Sequence, residues 1–235
     1  MKNRPYVFIT GATKGIGRAL AQRFALEGAH LALSARTPKD LEALKAGLLK
    51  GGATGEVHLF PADLSQKAEA VALAAAVSAA FPHLDVLVNN AGLFRPGQVL
   101  GEAEEAMEQM LAVNLLAPYY LSRGLLPRMR RGSHLFNVAS VAGREGYVGK
   151  GSYGVSKAAL LSLTNTLRHE LREAGVRVTA VLPGPTWSAS WEGADLPAQR
   201  LLQASEVAAS IWQAWAMPPN AVIEEIVIRP QLGDL

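Results

Sequence analysis

Tyr6-Val7-Phe8-Ile9-Thr10-Gly11-Ala12-Thr13-Lys14-Gly15-Ile16-Gly17 begins as an apolar run and stops abruptly at a cluster of glycines. The run reads as a buried strand, and a helical pattern follows from about Ile16 to Leu26. Small residues between a strand and a helix let the backbone approach a diphosphate, which then rests on the helix N-terminal N–H groups. A glycine-rich turn alone also marks ordinary tight turns. Its weight here comes from its place in a strand–turn–helix unit at the start of the chain.

Outward from this turn the same cycle repeats. Leu31-Ala32-Leu33 reads as the next strand, followed by Val57-His58-Leu59-Phe60, Asp85-Val86-Leu87-Val88, Leu135-Phe136-Asn137-Val138 and Val176-Arg177-Val178-Thr179-Ala180-Val181. The last is Val222-Ile223-Glu224-Glu225-Ile226-Val227-Ile228. Strands apolar on both faces and separated by helices indicate a parallel sheet covered on each side. The expected fold is therefore α/β: one doubly wound domain over residues 1–235, a seven-stranded parallel sheet with helices on both faces. One long irregular stretch, about Pro183 to Pro197, breaks the rhythm, and such loops tend to be functional.

The bulk properties narrow the function classes. At 235 residues a single core buries roughly 70% of the unfolded surface, so no metal or disulfide is needed for stability. Cysteine is absent, which removes a disulfide framework, a thiol nucleophile and a cysteine-ligated zinc. The N-terminus has no signal-peptide apolar region, and no apolar run reaches membrane-spanning length. Net charge is +3, with the basic residues scattered apart from Arg128, Arg130 and Arg131. These three fall at an expected helix end, where they complement the dipole. Neither nucleic acid nor membrane is an expected partner, no metal site is expected, and the expected location is the cytoplasm.

The end of the second strand discriminates between cofactors. Folds of this kind that use NAD place an acidic residue there to bind the ribose 2′-hydroxyl. Here the run is Leu33-Ser34-Ala35-Arg36-Thr37, with an arginine in place of the acid. Arg36 and Lys14 could clamp a 2′-phosphate through charge-assisted hydrogen bonds. Ordinary solvated loop cations are the alternative, and the missing carboxylate favours the phosphate.

Tyr153 and Lys157 lie four residues apart, on one face of an expected helix. A free tyrosine titrates near pH 10, and a fixed cation nearby lowers that value. Such a tyrosine can give a proton to a carbonyl oxygen or take one from an alcohol. The spacing is common by chance, and it is the glycine cluster that gives it meaning. Asn114 has its own argument. With Met107, Met110, Leu111 and Leu121 it falls on one helical stripe, so an amide interrupts a core face. Pro118, four residues on, removes an N–H and clashes with the residue 114 carbonyl. That frees the carbonyl to hold a water leading toward Lys157, unless the feature is only a kink.

Taken together, Thr10-Gly11-x-x-x-Gly15-Ile16-Gly17, Asp63-Leu64, Asn89-Asn90-Ala91-Gly92, Asn114, Ser140, Tyr153-x-x-x-Lys157 and Pro183-Gly184 resemble the short-chain dehydrogenase/reductase family, end to end and in order. The resemblance implies a Rossmann domain, NADP(H) as the preferred cofactor with NAD(H) possible, and a catalytic tetrad of Asn114, Ser140, Tyr153 and Lys157. It implies that Asp63 contacts the adenine and that Asn89 and Ala91 lie along the cofactor. It also places Gly11, Thr13, Lys14, Gly15, Ile16, Gly17, Leu64, Gly92, Pro183 and Gly184 around the cofactor, with Lys157 on the nicotinamide ribose beside Tyr153. Either Thr186 or Ser188 would meet the nicotinamide carboxamide. Trp187 and Trp191 in the following loop point to an apolar or ring-shaped substrate or to a loop anchor. Tyr147 and Phe94 are candidates for the pocket wall or for packing.

The implied activity is hydride transfer between NADPH and a ketone, an aldehyde or a secondary alcohol, with Tyr153 as acid/base. Within the family the nearest general likeness is to oxoacyl-carrier-protein reductases and sepiapterin-type reductases, between which the residues do not choose. A catalytically silent dinucleotide sensor or scaffold on the same fold is the rival. An isomerase or epimerase on the same fold is a second rival, but such relatives usually carry a larger C-terminal substrate domain, for which this chain has no room. The expected partners are a small carbonyl or alcohol substrate and further copies of the chain, as a homotetramer or homodimer. The apolar circumference of the helices expected over about Glu102 to Met129 and Tyr153 to Ala174 suggests more than one buried face, and the C-terminal strand is expected near another interface.

Overall fold

The computed structural model describes residues 4–187, 197 and 200–234. Its centre is a parallel sheet of β1 (Tyr6–Thr10), β2 (His30–Ala35), β3 (Val57–Pro61), β4 (Leu84–Asn89), β5 (Met129–Val138), β6 (Arg177–Pro183) and β7 (Glu225–Ile228). These seven strands lie in the order β3-β2-β1-β4-β5-β6-β7. The chain winds outward one way from β1 and then returns to wind the other way from β4. The crevice beyond the carboxyl ends of β1 and β4 is therefore the topological switch point, where ligands bind in open sheets of this kind.

Strand alternation sends side chains to two cores. Val7, Ile9, Leu31, Leu33, Val86 and Val88 pack against α1 (Gly15–Leu26), α2 (Pro38–Lys50) and α7 (Ala204–Ala216). Phe8, Ala32, Leu87, Leu135 and Val178 face the other way, onto α3 (Lys67–Ala80), α5 (Ala117–Leu125) and α6 (Gly151–Leu171). Each large side chain of this kind stabilises the fold by about 1.5–3 kcal/mol. The seven-stranded doubly wound sheet matches the sequence expectation.

Three local expectations need correction. The helix expected over Glu102 to Met129 is shorter and not α-helical throughout: α4 spans Ala106–Leu111, a π-helical turn covers Ala112–Leu116, and α5 continues from it to Leu125. Pro118 follows the π-helical turn directly, and it has no N–H to continue the helical ladder across that turn. Second, β5 already begins at Met129, so Arg130 and Arg131 are strand residues and not a helix end. The three arginines also diverge. Arg128 donates to Ser78 Oγ at 2.9 Å, close to the C-terminal end of α3. Arg130 pairs with Asp85 at 3.2 Å, and Arg131 donates to the Glu173 carbonyl at 3.1 Å. Third, β7 starts only at Glu225; just before it the Ile223 carbonyl accepts from the Thr179 hydroxyl and the Glu224 carbonyl from the Ala180 N–H. Among the described residues, no helix is long and apolar enough to cross a membrane.

Candidate active site

A cavity of about 1180 Å³ opens over the switch point. Its walls come from the glycine turn, the ends of β2 to β6 and the start of α6. Lys14, Arg36, Asp63 and Leu64 line it, as do Tyr153, Lys157, Ser140 and Trp187.

The glycine turn is built for close approach. Gly11 and Gly15 have φ of +63° and +49°, which other residues rarely adopt. Gly17 has no room for a side chain: a methyl there would lie 2.2 Å from the Gly11 carbonyl oxygen and 2.5 Å from Asn90 Nδ2. Asn90 holds the turn, donating from Nδ2 to the carbonyls of Thr10 at 2.9 Å and Gly11 at 3.2 Å. In return the Thr10 hydroxyl accepts from the N–H groups of Asn90 and Ala91, both at 3.0 Å. These bonds lock the ends of β1 and β4 together. The holding roles of Asn90 and Thr10 depend on a contact eighty positions apart, which the motif alone does not reveal.

Asn89 is placed differently from expectation. It is buried, and its amide donates to Asn137 Oδ1 at 2.8 Å and Ser122 Oγ at 3.3 Å, so its side chain joins β4 to β5 and α5. Thr13, Ile16, Ala91, Gly92, Pro183, Gly184 and Thr186 do line the cavity. Thr186 donates its hydroxyl to the Gly184 carbonyl at 3.0 Å. Ser188 and Trp191 lie outside the described residues. At the end formed by β2, Arg36 and Lys14 are solvent-exposed, and Asp40 from the first turn of α2 joins them on the wall. A narrow backbone cradle beside two exposed cations fits a dinucleotide bearing an extra phosphate.

The other end gathers Ser140, Tyr153 and Lys157 on the cavity wall, with Asn114 buried outside the lining. Tyr153 is the third residue of α6, and Ser140 follows the end of β5. Lys157, one turn further along α6, is buried and donates from Nζ to the Val138 carbonyl at 2.8 Å. Its Nζ is 5.8 Å from the Tyr153 ring centroid. Burial lowers the lysine pKa to about 8. The same burial raises the Tyr153 phenol above its ordinary value, while the Ser140 hydroxyl beside it acts in the opposite direction. This corrects the simple picture of a lysine that lowers the phenol. In the protein alone desolvation outweighs the Ser140 hydrogen bond, and Tyr153 holds its proton.

Asn114 lies in the π-helical turn and is fully buried. Its Oδ1 accepts from the Leu93 N–H at 2.7 Å. Its Nδ2 donates to the Leu93 carbonyl and to Ser156 Oγ, both at 2.9 Å. Ser156 in turn donates to the Tyr153 carbonyl at 2.8 Å. The amide in the core stripe is thus a bracket between the cavity wall and the tyrosine's own helix turn. Ser156 was not singled out from the sequence, since a serine inside a helix carries no signal of its own.

Phe94 closes the wall beside the phenol, its ring edge-on to Tyr153 with centroids 4.9 Å apart. Tyr147 is absent from the wall. Its hydroxyl donates to Asp234 at 2.6 Å and accepts from Arg229 at 3.0 Å, which ties the loop after β5 to the C-terminal segment.

Comparison with known proteins agrees with this geometry. The family model described as short chain dehydrogenase matches residues 5–195. A sepiapterin reductase of Chlorobaculum tepidum is 35% identical, over 97% of both chains. Among solved structures, a short chain dehydrogenase from Burkholderia cenocepacia in complex with NADP superposes with a TM-score of 0.88 at 28% identity, over 96% of each chain. An alcohol dehydrogenase from the archaeon Thermococcus sibiricus complexed with 5-hydroxy-NADP gives 0.89 at 27% identity, over 97% of each. The chain belongs to the short-chain dehydrogenase/reductase family and is an NAD(P)-dependent oxidoreductase.

Proposed function

We propose that the protein is an NADPH-dependent carbonyl reductase, or the corresponding alcohol dehydrogenase, built on a single domain. When bound, the nicotinamide supplies or takes the hydride. The chain's own residues do the rest. Gly11, Gly15 and Gly17 admit the diphosphate to the start of α1, and Lys14 and Arg36 meet the 2′-phosphate. Ser140 orients the carbonyl oxygen, and Tyr153 donates its phenolic proton to that oxygen as the alcohol forms. Lys157 holds the ribose hydroxyls and stabilises the phenolate left behind, with Asn114 fixing the turn on which Tyr153 stands.

The observation that carries this reading is the convergence of Ser140, Tyr153 and Lys157 on one cavity with the glycine turn and the Lys14–Arg36 pair. Phe94 and Trp187 on the wall favour an apolar or ring-bearing carbonyl. The names of the two relatives, a sepiapterin reductase and an alcohol dehydrogenase, support a carbonyl–alcohol couple without choosing the substrate. Leu116, Tyr119 and Val155 are exposed on the π turn, on α5 and on α6, which supports assembly of two or four copies through these helices.

The test is NADPH oxidation against a panel of aliphatic, aryl and fused-ring ketones and aldehydes. Turnover that favours ring-bearing members is the expected result. Tight NADPH binding with no turnover on any member would move the protein to a dinucleotide-sensing role.

A further inference from the structure

The first turn of α6 begins two residues before Tyr153 and has no cap from its own sequence, since Lys150 at the N-cap position makes no side-chain cap bond. The first N–H groups of a helix have no partner within the helix and must find one elsewhere. Here two of them are satisfied by one distant segment. The Gly151 N–H donates to the Gly97 carbonyl at 3.0 Å, and the Ser152 N–H donates to Glu102 Oε1 at 2.8 Å. The Gly97 N–H returns a bond to the Gly149 carbonyl, also at 3.0 Å.

The fit leaves no slack. A methyl on Gly97 would lie 2.4 Å from Glu102 Cγ, and one on Gly151 would lie 2.4 Å from Glu102 Oε1. The near end of the same segment is fixed as well, because Leu93 is held by both arms of the Asn114 amide. Between the two anchors stand Phe94 and Arg95 on the cavity wall, with Phe94 against the Tyr153 ring. Residues 93–102 therefore form a strap fastened at one end to the first turn of α6 and at the other to Asn114, whose amide reaches the same helix through Ser156.

We infer that Glu102 is a positioning residue for the reaction, acting as a carboxylate cap supplied from outside the helix that holds Tyr153 and the substrate wall in register. A carboxylate at a helix N-terminus is favoured by both the hydrogen bond and the dipole. The reaction it serves is the one proposed above, so the inference rests in part on that reading.

Glu102→Ala and Glu102→Gln separate the possibilities, because glutamine keeps an acceptor oxygen. Loss of a helix cap shifts the balance between ordered and frayed first turn by about 2- to 30-fold. Amide hydrogen exchange over residues 151–153 should quicken by a factor in that range in Glu102→Ala and stay near the wild-type rate in Glu102→Gln. With NADPH and the best carbonyl of the panel, kcat should fall by a similar factor in the alanine variant. NADPH affinity should stay within about twofold, because the cap touches no cofactor-binding group. Glutamine should restore most of the loss. A purely structural role would lower Tm and leave the kcat of the folded enzyme unchanged. Unchanged kcat or unchanged exchange in Glu102→Ala overturns the inference. Should the wild-type protein reduce nothing on the panel, the exchange measurement still decides the cap, and the functional reading alone has failed.

Discussion

Lys157 Nζ meets the carbonyl oxygen of Val138 at 2.8 Å in a fully buried corner of the cavity. A cation at the carboxyl end of β5 beside Tyr153 is useful to the proposed chemistry and costly to the fold, because one neutral carbonyl replaces only part of its hydration.

That cost is visible in pH. The folded pKa of about 8 lies below the ordinary 10.5 of a free lysine. At pH values below the folded pKa both folded and unfolded chains carry the proton, and the penalty is present in full. As pH rises from there toward 10.5 the folded chain sheds its proton first, so this group's contribution makes the protein more stable. Compared with Lys157→Met, the cofactor-free wild-type protein should gain about 2–3 kcal/mol across that window. Denaturant melts of both proteins at several pH values check this, and a constant difference between them would show that the lysine is not desolvated.

Gly17→Ala should damage cofactor binding more than any other single methyl in the turn. The new carbon would overlap the Gly11 carbonyl, which is backbone and cannot swing aside, and Asn90, which holds the turn. The turn must open, at about 1–3 kcal/mol in stability. NADPH affinity measured by nicotinamide fluorescence should fall at least about tenfold, a loss of 1.4 kcal/mol or more. Unaltered affinity would mean that the diphosphate does not rest on this backbone.

Arg36→Asp should reverse the cofactor preference. The arginine's charge-assisted hydrogen bonds are worth roughly 1.5–3 kcal/mol, and an aspartate would both repel a 2′-phosphate and accept from a ribose hydroxyl. Asp40 already stands on the same wall, which helps NADH once the arginine is gone. The ratio of the two dissociation constants is the measurement. Equal constants for the unmutated protein would remove the basis of the preference.

Much of this architecture was legible in the chain because it rests on local signals. The apolar strands gave the sheet, and Gly11, Gly15 and Gly17 marked a turn that only small residues can make. Asn114 was legible because an amide interrupted a core stripe. What escaped depends on pairs far apart in sequence. Nothing local says that Asn89, the last residue of β4, turns toward Asn137 while Asn90, just beyond the strand, holds the glycine turn. Glu102 looked like the start of a helix, and its role as a cap for residues fifty positions later exists only once the loop folds back. The direction of the phenol's pKa is hidden for a related reason: spacing shows the cation but not the burial that raises the value.

Ser156→Ala should show whether the Asn114 bracket matters. It removes the acceptor of the Asn114 N–H and the donor to the Tyr153 carbonyl in one step. Leaving a buried amide N–H unpaired costs about 1–3 kcal/mol. Stability should fall by that amount, with a loss in kcat at unchanged NADPH affinity. A variant as stable as the wild type would mean that Asn114 finds another partner.

Tyr153→Phe tests the chemistry most directly. The phenol is buried, holds its proton in the free protein and lies beside Ser140 and against Phe94. Phenylalanine keeps the ring, its edge contact and the helix turn, and it removes only the hydroxyl. The fold, the glycine turn and the Arg36 contact with cofactor should all survive, so NADPH affinity should change little. Positioned acid–base catalysis contributes about 10²–10⁴ in rate, and the loss should be at least of that order. Lys157→Ala should behave differently, lowering turnover and cofactor affinity together, because that side chain is assigned both the ribose and the phenolate. If the two residues were only a structural pair, both variants would act through stability and lose activity in step with Tm. Steady-state reduction of one accepted carbonyl, set beside cofactor fluorescence and thermal melts, separates the cases. A phenylalanine variant keeping more than about a tenth of the activity, well short of the loss expected for a missing acid, would show that the proton comes from another group.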